Sequence, residues 1–320
     1  MTSPMTPART FTTAIRGGTA VVHDPLTGQT HRAERPVPPG RTRLHGAEVA
    51  SWPVVHPGDI EDAMPVSVCW SPLVRCNLAC PHCLDDKAVR VLQGPDRRRI
   101  AHVLGESPIL GVDISGGEPL LLRDLGILID TLTAGGCAVS VTTNGTHLAR
   151  RVEGLSNRVD AVRVSLDGPD AARHDRWRGR GSFDRATAGI RAAVAHGIPT
   201  QIQTVLLRST ARMSVEPMVD LAASLGVRGV TFLQMLPIGE GAALADAEQL
   251  SDDEARDLLA DLDASTVAVR LRTREAAGGF TVIRADGQVW RNQPDAAEIA
   301  TLRPLHTVND LALTGRDGSA

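Results

Sequence analysis

The spacing of hydrophobic and polar positions changes near residue 66 and divides the chain. Downstream of it, short runs rich in β-branched residues alternate with longer stretches whose apolar positions recur at helical spacing. The runs cover 65–71, 109–115, 137–143, 160–166, 200–207 and 229–236, and the helical stretches lie near 95–106, 123–135, 146–154, 182–196 and 214–225. Six strand–helix units in succession predict an α/β fold with a parallel sheet and right-handed connections. The pattern fits an open doubly wound sheet as well as a partial or full β/α barrel.

Residues 1–65 and 241–320 follow other patterns, and we interpret them as extensions of a central domain at 66–240. The N-terminal extension has little sustained periodicity. Its clearest local signal is a pair of β-like runs around a Pro/Gly turn, which predicts a hairpin at 18–33.

The C-terminal extension is predicted to contain a helix, a strand and a hairpin. Ser251 and Glu254 form the pattern of a capping box at the start of a helix. A strand-like run follows at 266–272, and a hairpin at 280–290 turns at an Asp-Gly pair. We expect these elements to form a small appendix rather than a second core.

The composition is that of an ordinary globular protein, and it limits the classes of partner. The 320 residues carry a formal net charge of −3, which argues against nucleic-acid binding because phosphate recognition needs a dense basic surface. The chain lacks an apolar run of about 18 residues, so we expect no membrane span. The first residues have no apolar core of a secretory signal. With an odd and clustered set of five cysteines, these features predict a cytoplasmic protein.

Three of the cysteines, Cys76, Cys80 and Cys83, lie in the stretch RCNLACPHC. Thiolates this close together can face one metal centre, and they favour zinc or an iron–sulfur cluster. A zinc site needs a fourth ligand, but His82 immediately precedes Cys83, and structural zinc sites usually combine two separated ligand pairs. A 4Fe–4S cube held by three cysteines leaves one iron free to bind another molecule. The loop alone leaves open an iron–sulfur cluster and a non-catalytic zinc-binding module, and the motifs described below favour the cluster.

The stretch resembles the C-x3-C-x2-C signature of the radical S-adenosylmethionine (SAM) enzymes, and the resemblance covers roughly residues 66–240. It implies that the three cysteines hold a 4Fe–4S cluster whose free iron binds the methionine part of SAM. Cleavage of SAM then gives a 5′-deoxyadenosyl radical that takes a hydrogen atom from the substrate. In this family the residue before the third cysteine is usually aromatic and lies against the adenine, a role that the resemblance assigns to His82.

A second motif, DISGGEP, follows the second predicted strand. Gly116 and Gly117 permit a close backbone approach to a ligand, and Glu118 supplies a carboxylate. The motif resembles the family's GGEP sequence, whose backbone and glutamate meet the SAM ammonium group. Because β/α barrels build their active sites at the C-terminal ends of successive strands, this position favours a partial (β/α)6 barrel with N-terminal and C-terminal extensions.

Less specific matches follow the later strands. The resemblance implies that Ser165 and Asp167 hydrogen-bond the ribose or methionine of SAM, and that Met235 lies against its adenine. An arginine of RWRGRG is expected to meet the SAM carboxylate, but the sequence leaves open which of three. Cys69, within the first strand, is a candidate hydrogen-atom donor, although a core position is the simpler interpretation. Cys137 is expected in the core.

The resemblance also implies a substrate class and partners. The segment 176–190 resembles one common in peptide-modifying relatives, and 282–313 resembles their C-terminal extension without the cysteines that would hold auxiliary clusters. We therefore expect one cluster, an electron donor such as flavodoxin or ferredoxin, and a ribosomal precursor peptide of a natural-product pathway as substrate. The alternative is a radical SAM dehydratase, decarboxylase or epimerase acting on a sugar, nucleoside or similar small metabolite.

Overall fold

The structure of the chain, a computed structural model, describes residues 8–60, 64–262, 267–274, 280–292, 299 and 301–313. These residues form a four-stranded sheet near the N-terminus and a ten-stranded sheet. Among them, every helix is too short or too polar to cross a membrane.

The N-terminal sheet contains the predicted hairpin and two further strands. Its elements are β1 (Ala8–Arg16), β2 (Thr19–His23), β3 (Thr30–Arg32) and β4 (Gly40–His45), followed by the helices α1 (Gly46–Ser51) and α2 (Pro57–Ile60). The strand order is β3-β2-β1-β4, and all pairs are antiparallel. The β2–β3 pair confirms the hairpin prediction. The strands β1 and β4 are not evident in the sequence, because threonines and arginines occupy many of their positions.

The central part of the chain alternates strands and helices as predicted. Its elements are β5 (Ser67–Trp70), α3 (Gly94–Glu106), β6 (Gly111–Ile114), α4 (Leu125–Ala134), β7 (Ala138–Thr143), α5 (Leu148–Leu155), β8 (Ala161–Ser165), α6 (Ala171–Arg178), α7 (Ser182–Ala195), β9 (Thr200–Leu206), α8 (Ala211–Leu225) and β10 (Gly229–Gln234). Each of the six predicted runs contains one strand, and neighbouring strands pair in parallel. The predicted α/β class and partial barrel are confirmed, and the described sheet does not close.

The segment after residue 240 contributes strands to both sides of this sheet. It contains α9 (Ala245–Glu248), α10 (Asp252–Asp257), β11 (Ala268–Arg272), β12 (Thr281–Ile283), β13 (Gln288–Arg291) and β14 (Arg303–Pro304). The strand β11 pairs in parallel with β10, and β12 pairs in parallel with β5. The capping box at Ser251 and the hairpin at 280–290 are confirmed. The extension therefore belongs to the barrel sheet rather than lying beside it, while the domain boundaries at 65 and 240 stay a prediction.

Side chains on the barrel strands alternate between an apolar outer face and a polar inner face. The outer face packs in the main hydrophobic core and includes Val112, Ile114, Val139, Val141, Val162, Val164, Ile202 and Val230. On the inner face, the Ser140 and Thr142 hydroxyls donate to the Asp113 carboxylate at 2.7 and 2.9 Å. Arg163 Nη1 lies 3.2 Å from the same carboxylate. The barrel interior is therefore a polar space and not a packed apolar core.

The N-terminal sheet covers the end of the barrel at which the strands begin. Arg41 Nη2 lies 2.7 Å from the carboxylate of Asp160, which directly precedes β8. From inside the barrel, Arg163 donates to the Leu26 carbonyl at 2.9 Å and to the Pro25 carbonyl at 2.6 Å. The turn between β2 and β3 is thereby held against the barrel base, opposite the strand ends that carry the sequence motifs.

A buried ion pair between Arg9 and Asp24 supports this turn. Arg9 Nη2 donates to Asp24 Oδ2 at 2.6 Å, and the two side chains are only 8% and 5% exposed. The Leu26 N–H donates to the same carboxylate at 2.8 Å. Burial alone would raise the pKa of Asp24, but the hydrogen bonds and charge of Arg9 hold it below its ordinary value.

The variant Asp24→Asn should lose about 3–5 kcal/mol in free energy of unfolding, because the Arg9 charge would stay buried without its partner. The matched control Asp130→Asn removes an exposed pair with Arg158 and should lose at most about 1 kcal/mol. Since the folded-state pKa of Asp24 is lowered, its contribution is present above a pH of about 4 and is lost as the pH falls further. Urea unfolding across this pH range measures both effects, and equal losses in the two variants would contradict this assignment.

Candidate active site

The cysteine loop begins directly after β5, at the C-terminal ends of the barrel strands. Cys76, Cys80 and Cys83 are free thiols, and each is half-buried. The Leu78 N–H donates to Cys76 Sγ at 3.4 Å, and the Cys83 N–H donates to the Cys80 carbonyl at 3.2 Å. The three thiols are close enough to affect one another's ionisation.

The surroundings of two of these thiols disfavour the free thiolate. Burial raises the pKa of Cys83 to about 11 and also raises that of Cys80. The positive charge of Arg178 acts in the opposite direction on Cys80. A bound metal centre would supply further positive charge and bind the deprotonated sulfur atoms directly. Three free thiols in one loop are a donor set that fits a metal cluster.

Among the described residues, no three His, Cys, Asp or Glu side chains are assembled around one point. In a 4Fe–4S cube each thiolate binds a different iron, so three cysteines would hold three of its four irons.

The GGEP loop lies directly against the start of the cysteine loop. The Glu118 N–H donates to the Arg75 carbonyl at 3.0 Å. A Cβ atom at Gly117 would lie 2.3 Å from that same oxygen, and one at Gly116, whose φ is +95°, would lie 2.2 Å from Ser71 Oγ. The two glycines are thus required by the neighbouring backbone of the protein itself. Their predicted contact with SAM stays a prediction.

The Glu118 side chain is fully buried and holds the ends of two strands together. Its carboxylate accepts hydrogen bonds from the Leu120 N–H at 2.9 Å, the Thr143 hydroxyl at 2.7 Å and the Asn144 N–H at 2.8 Å. Burial raises the pKa of Glu118, and these hydrogen bonds oppose that shift. These hydrogen bonds join the GGEP loop to the turn after β7. The predicted contact of Glu118 with the SAM ammonium group is not tested by these bonds.

Asn77 and Asn144 link the same turn to the cysteines. Asn144 Nδ2 donates to Asn77 Oδ1 at 3.0 Å and approaches Cys76 Sγ at 3.6 Å. Asn77 Nδ2 in turn donates to the Thr146 hydroxyl at 2.9 Å. Neither Asn77 nor Asn144 is among the residues that the sequence singled out. The position of Asn77 inside the cysteine loop, next to Cys76, is the signal that could have identified it.

His82, Asp167 and Arg178 form a buried cluster beside the cysteine loop. The Asp167 carboxylate is fully enclosed and accepts hydrogen bonds from Arg178 Nε and, at 3.0 Å, from the Val205 N–H. His82 Nε2 lies 3.0 Å from Asp167 Oδ2, which is an ion-pair distance. The ring is not oriented for a hydrogen bond to that oxygen. Burial alone would raise the pKa of Asp167, but Arg178 and His82 hold it well below its ordinary value. Asp167 is therefore an ionised group that positions two neighbours, and its predicted contact with SAM stays a prediction.

The helix α6 determines which arginine of RWRGRG lies at the site. The Asp167 N–H donates to His174 Nδ1 at 3.0 Å, which holds this helix over the end of β8. Arg178 then lies beside the cysteine loop, where the thiols and Asp167 raise its pKa against the effect of burial. Arg176 instead stacks on the Trp177 ring, 5.5 Å from its centroid. Arg178 is thus the arginine to test for contact with a SAM carboxylate.

Met235 and Ser165 lie at the ends of their strands in different surroundings. Met235 is 1% exposed and packs against Trp177 and Leu207. Trp177 also meets the His82 ring edge-on, with 6.1 Å between centroids. Ser165 is half-buried at the last position of β8. The contacts of Met235 and Ser165 with SAM stay predictions.

The remaining cysteines, Cys69 and Cys137, differ in accessibility. Cys137 is fully buried, as expected for a core position. Cys69 is half-buried on the inner face of the barrel, with Sγ 2.9 Å from the Ser115 hydroxyl. Burial raises the pKa of both thiols to about 12, so both are neutral at ordinary pH. The role of Cys69 as a hydrogen-atom donor stays a prediction.

The structure thus has a partial β/α barrel with three free thiols in one loop at its strand ends. Residues 70–222 match the family model described as the Radical SAM superfamily. The resemblance inferred from the motifs is therefore confirmed.

The chain is similar to curated relatives over part of their length. It is 31% identical to the mycofactocin maturase MftC of Mycolicibacterium smegmatis over 61% of this chain and 50% of that protein. It is 30% identical to a GTP 3′,8-cyclase of Erythrobacter litoralis over 52% of this chain and 53% of that protein. The matched region thus spans about half the length of these relatives.

The fold is also similar to that of a solved structure, Streptococcus suis SuiB bound to precursor peptide SuiA. The TM-score is 0.62 over 73% of this chain and 60% of that chain, with 15% sequence identity. At this identity the likeness concerns the fold alone.

The variant Glu118→Gln tests whether the Glu118 carboxylate holds these loops together. In the variant, the amide nitrogen replaces an oxygen that accepts a hydrogen bond, so it would face another donor and that bond would be lost. We expect a loss of about 1–3 kcal/mol in free energy of unfolding. The matched control is Glu153→Gln, at an exposed position of α5, which should change stability by no more than about 0.5 kcal/mol. Urea unfolding of both variants provides the measurement. If the two variants were equally stable, Glu118 would not hold these loops together.

Proposed function

We propose that this chain is a radical SAM enzyme with one 4Fe–4S cluster, bound by Cys76, Cys80 and Cys83, that acts on a ribosomal peptide in a natural-product pathway. The single observation that carries the proposal is the three-thiol loop, joined to the GGEP loop and to the turn after β7 at one end of the barrel. When bound, the cluster and SAM would supply a 5′-deoxyadenosyl radical that takes a hydrogen atom from the substrate.

The residues around the loop have distinct tasks in this proposal. Gly116, Gly117 and Glu118 shape the loop that would receive the methionine end of SAM. His82 would lie against the adenine, with Met235 as a further apolar surface for it, and Ser165 would meet the ribose or the methionine part of SAM. The Asp167 carboxylate keeps His82 and Arg178 in place, which leaves the Arg178 charge beside the thiols.

A peptide substrate is supported by the relatives and by the composition of the extension. MftC is named a maturase, and SuiB is a protein whose solved complex contains a precursor peptide. The chain has no cysteine after Cys137, so thiolates for an auxiliary cluster are lacking there. A single cluster would then receive its electron from a donor such as flavodoxin or ferredoxin.

The similarity to a GTP 3′,8-cyclase favours a second candidate, a radical SAM enzyme acting on a sugar, nucleoside or similar small metabolite. Dehydration, decarboxylation and epimerisation are the reactions we would expect of it.

Binding of a peptide discriminates between the two candidates. The cluster-loaded protein should retain a peptide encoded by a short reading frame next to its own gene, and should form 5′-deoxyadenosine faster when that peptide is present. A scrambled peptide of equal composition is the control. Faster turnover with a nucleotide or sugar, together with no effect of the peptide, would favour the metabolite enzyme.

Single replacements of Cys76, Cys80 or Cys83 by Ala should each abolish reductive cleavage of SAM, because three thiolates are the fewest that hold the cube. Anaerobic reconstitution of the wild type should give about four irons per chain. The matched control replaces Cys69 and Cys137 together by Ala and should keep that iron content. A colourless wild-type protein that binds zinc, or 5′-deoxyadenosine formation by any of the single variants, would disprove the proposal.

A further inference from the structure

Two arginines of β11, Arg270 and Arg272, stand on the face of the strand that is turned to the barrel interior. They pair in register with Thr231 and Leu233 of β10. Arg270 Nη1 donates to the Thr27 carbonyl, in the turn held against the barrel base. Arg270 is therefore engaged with the N-terminal sheet. Arg272 is the last residue of the strand and lies nearer the end of the barrel that carries the cysteine loop.

Arg272 has an aromatic neighbour but no polar partner. Its guanidinium carbon lies over the Phe280 ring, 4.9 Å from the centroid. Within the described ranges of the chain it makes no hydrogen bond and no ion pair. The residue is half-buried, so part of it remains reachable from solvent. Burial and the charge of Arg163 lower the pKa of Arg272, but an arginine keeps its charge in proteins. A partly buried cation without a counter-charge favours the binding of an anion.

Two carboxylates near this space contact residues other than Arg272, although Asp85 Oδ2 has no hydrogen-bond partner among the described residues. Asp113 lies 3.2 Å from Arg163 and accepts hydrogen bonds from Ser140 and Thr142. Asp85, after the cysteine loop, accepts a hydrogen bond from Ser71 at 3.3 Å. Neither carboxylate is paired with Arg272, so its positive charge remains available to a ligand.

The half-buried thiol of Cys69 lies on the strand that pairs with β12. Cys69 is in register with Val282, and Phe280 directly precedes that strand. Five strands separate β5 from β11 in the sheet order, so the contact of Arg272 with Phe280 means that the sheet curls until the end of β11 comes close to the start of β12. The charge of Arg272 acts on the Cys69 thiol, where it opposes the rise in pKa that burial causes.

We propose that Arg272 binds a carboxylate of the substrate inside the barrel, near Cys69. This inference rests on the proposed radical SAM function and adds to it the chemical class of the substrate group. The planar guanidinium matches a carboxylate through two parallel hydrogen bonds, and stacking on Phe280 keeps its plane in place. The carboxylate belongs either to the C-terminus of a peptide or to an acidic side chain.

Alkylation of Cys69 by iodoacetate and by iodoacetamide tests the site without turnover. In both reactions the thiolate sulfur forms a bond to carbon and iodide leaves, so the two reagents differ only in the carboxylate. Cluster-loaded protein is treated with each reagent under anaerobic conditions, and modification of Cys69 is followed by mass spectrometry of its peptide. Both rates are proportional to the fraction of Cys69 that is deprotonated. The ratio of the two rates is therefore independent of that fraction.

We expect the rate ratio of iodoacetate to iodoacetamide to fall roughly tenfold in Arg272→Gln, the factor that corresponds to a charge-assisted hydrogen bond. Arg272→Lys should keep most of the preference because it keeps the charge. Arg98→Gln, an exposed change of equal charge on α3, should leave the ratio unchanged. The iodoacetamide rate alone reports whether each variant keeps the fold around Cys69.

Protection of Cys69 from iodoacetamide identifies the source of the carboxylate. N-acetylalanine represents a peptide C-terminus, the α-amide of N-acetylglutamate represents an acidic side chain, and N-acetylalanine amide is the neutral control. Protection by one of the first two supports the proposal and names the source.

Three results would overturn the proposal. The first is a rate ratio that is equal in wild type and Arg272→Gln, and the second is a Cys69 that neither reagent modifies. The third is found with free methionine as an additional probe: if methionine alone protects Cys69, Arg272 binds the carboxylate of SAM and not that of the substrate. None of these depends on cleavage of SAM. Failure of the proposed function appears separately, as absence of 5′-deoxyadenosine or as alkylation of Cys76, Cys80 and Cys83.

Discussion

The buried carboxylate of Glu118 is the interaction on which the arrangement of the site depends. Its two oxygen atoms receive hydrogen bonds from the loop after β6 and from the turn after β7, while its own N–H donates to the cysteine loop. Asn144 continues the connection to Cys76. The side chain and the backbone N–H of this one residue therefore hold three consecutive strand ends in one geometry. A loop rich in Asn, Pro and Gly cannot acquire that order from local propensity, so the order comes from these hydrogen bonds.

The order of most strands and helices could be predicted because the outer faces of the barrel strands are largely apolar and most of the helices have apolar stripes. The hydrogen-bond and ion-pair partners of the polar residues could not be predicted in this way. Asp167 carries the signal of a ligand-binding turn, but its carboxylate is satisfied by Arg178, on a helix whose arginine-rich sequence lacks helical periodicity. Likewise Glu118 could be recognised from its motif, whereas its bonds to Thr143 and Asn144 depend on how β6 and β7 align. Pairings of this kind are set by tertiary structure.

The C-terminal extension illustrates the same limit for backbone structure. The sequence predicts a strand and a hairpin there, and both are present, but β-propensity does not tell which existing strand a new one will join. The strand β11 pairs with β10 and β12 pairs with β5, at the two ends of the run from β5 to β10, and the curl of the sheet brings Arg272 over the Phe280 ring. The extension thus supplies side chains to the barrel interior, although it has no cysteine.

The turn between β2 and β3 limits how the barrel interior can be reached. Because this turn occupies the end of the barrel at which the strands begin, that end is covered. The remaining routes are the opposite end, where the cysteine loop lies, and the side at which the described sheet stays open. A molecule that enters at the cysteine loop therefore meets the N-terminal sheet as the floor of the barrel.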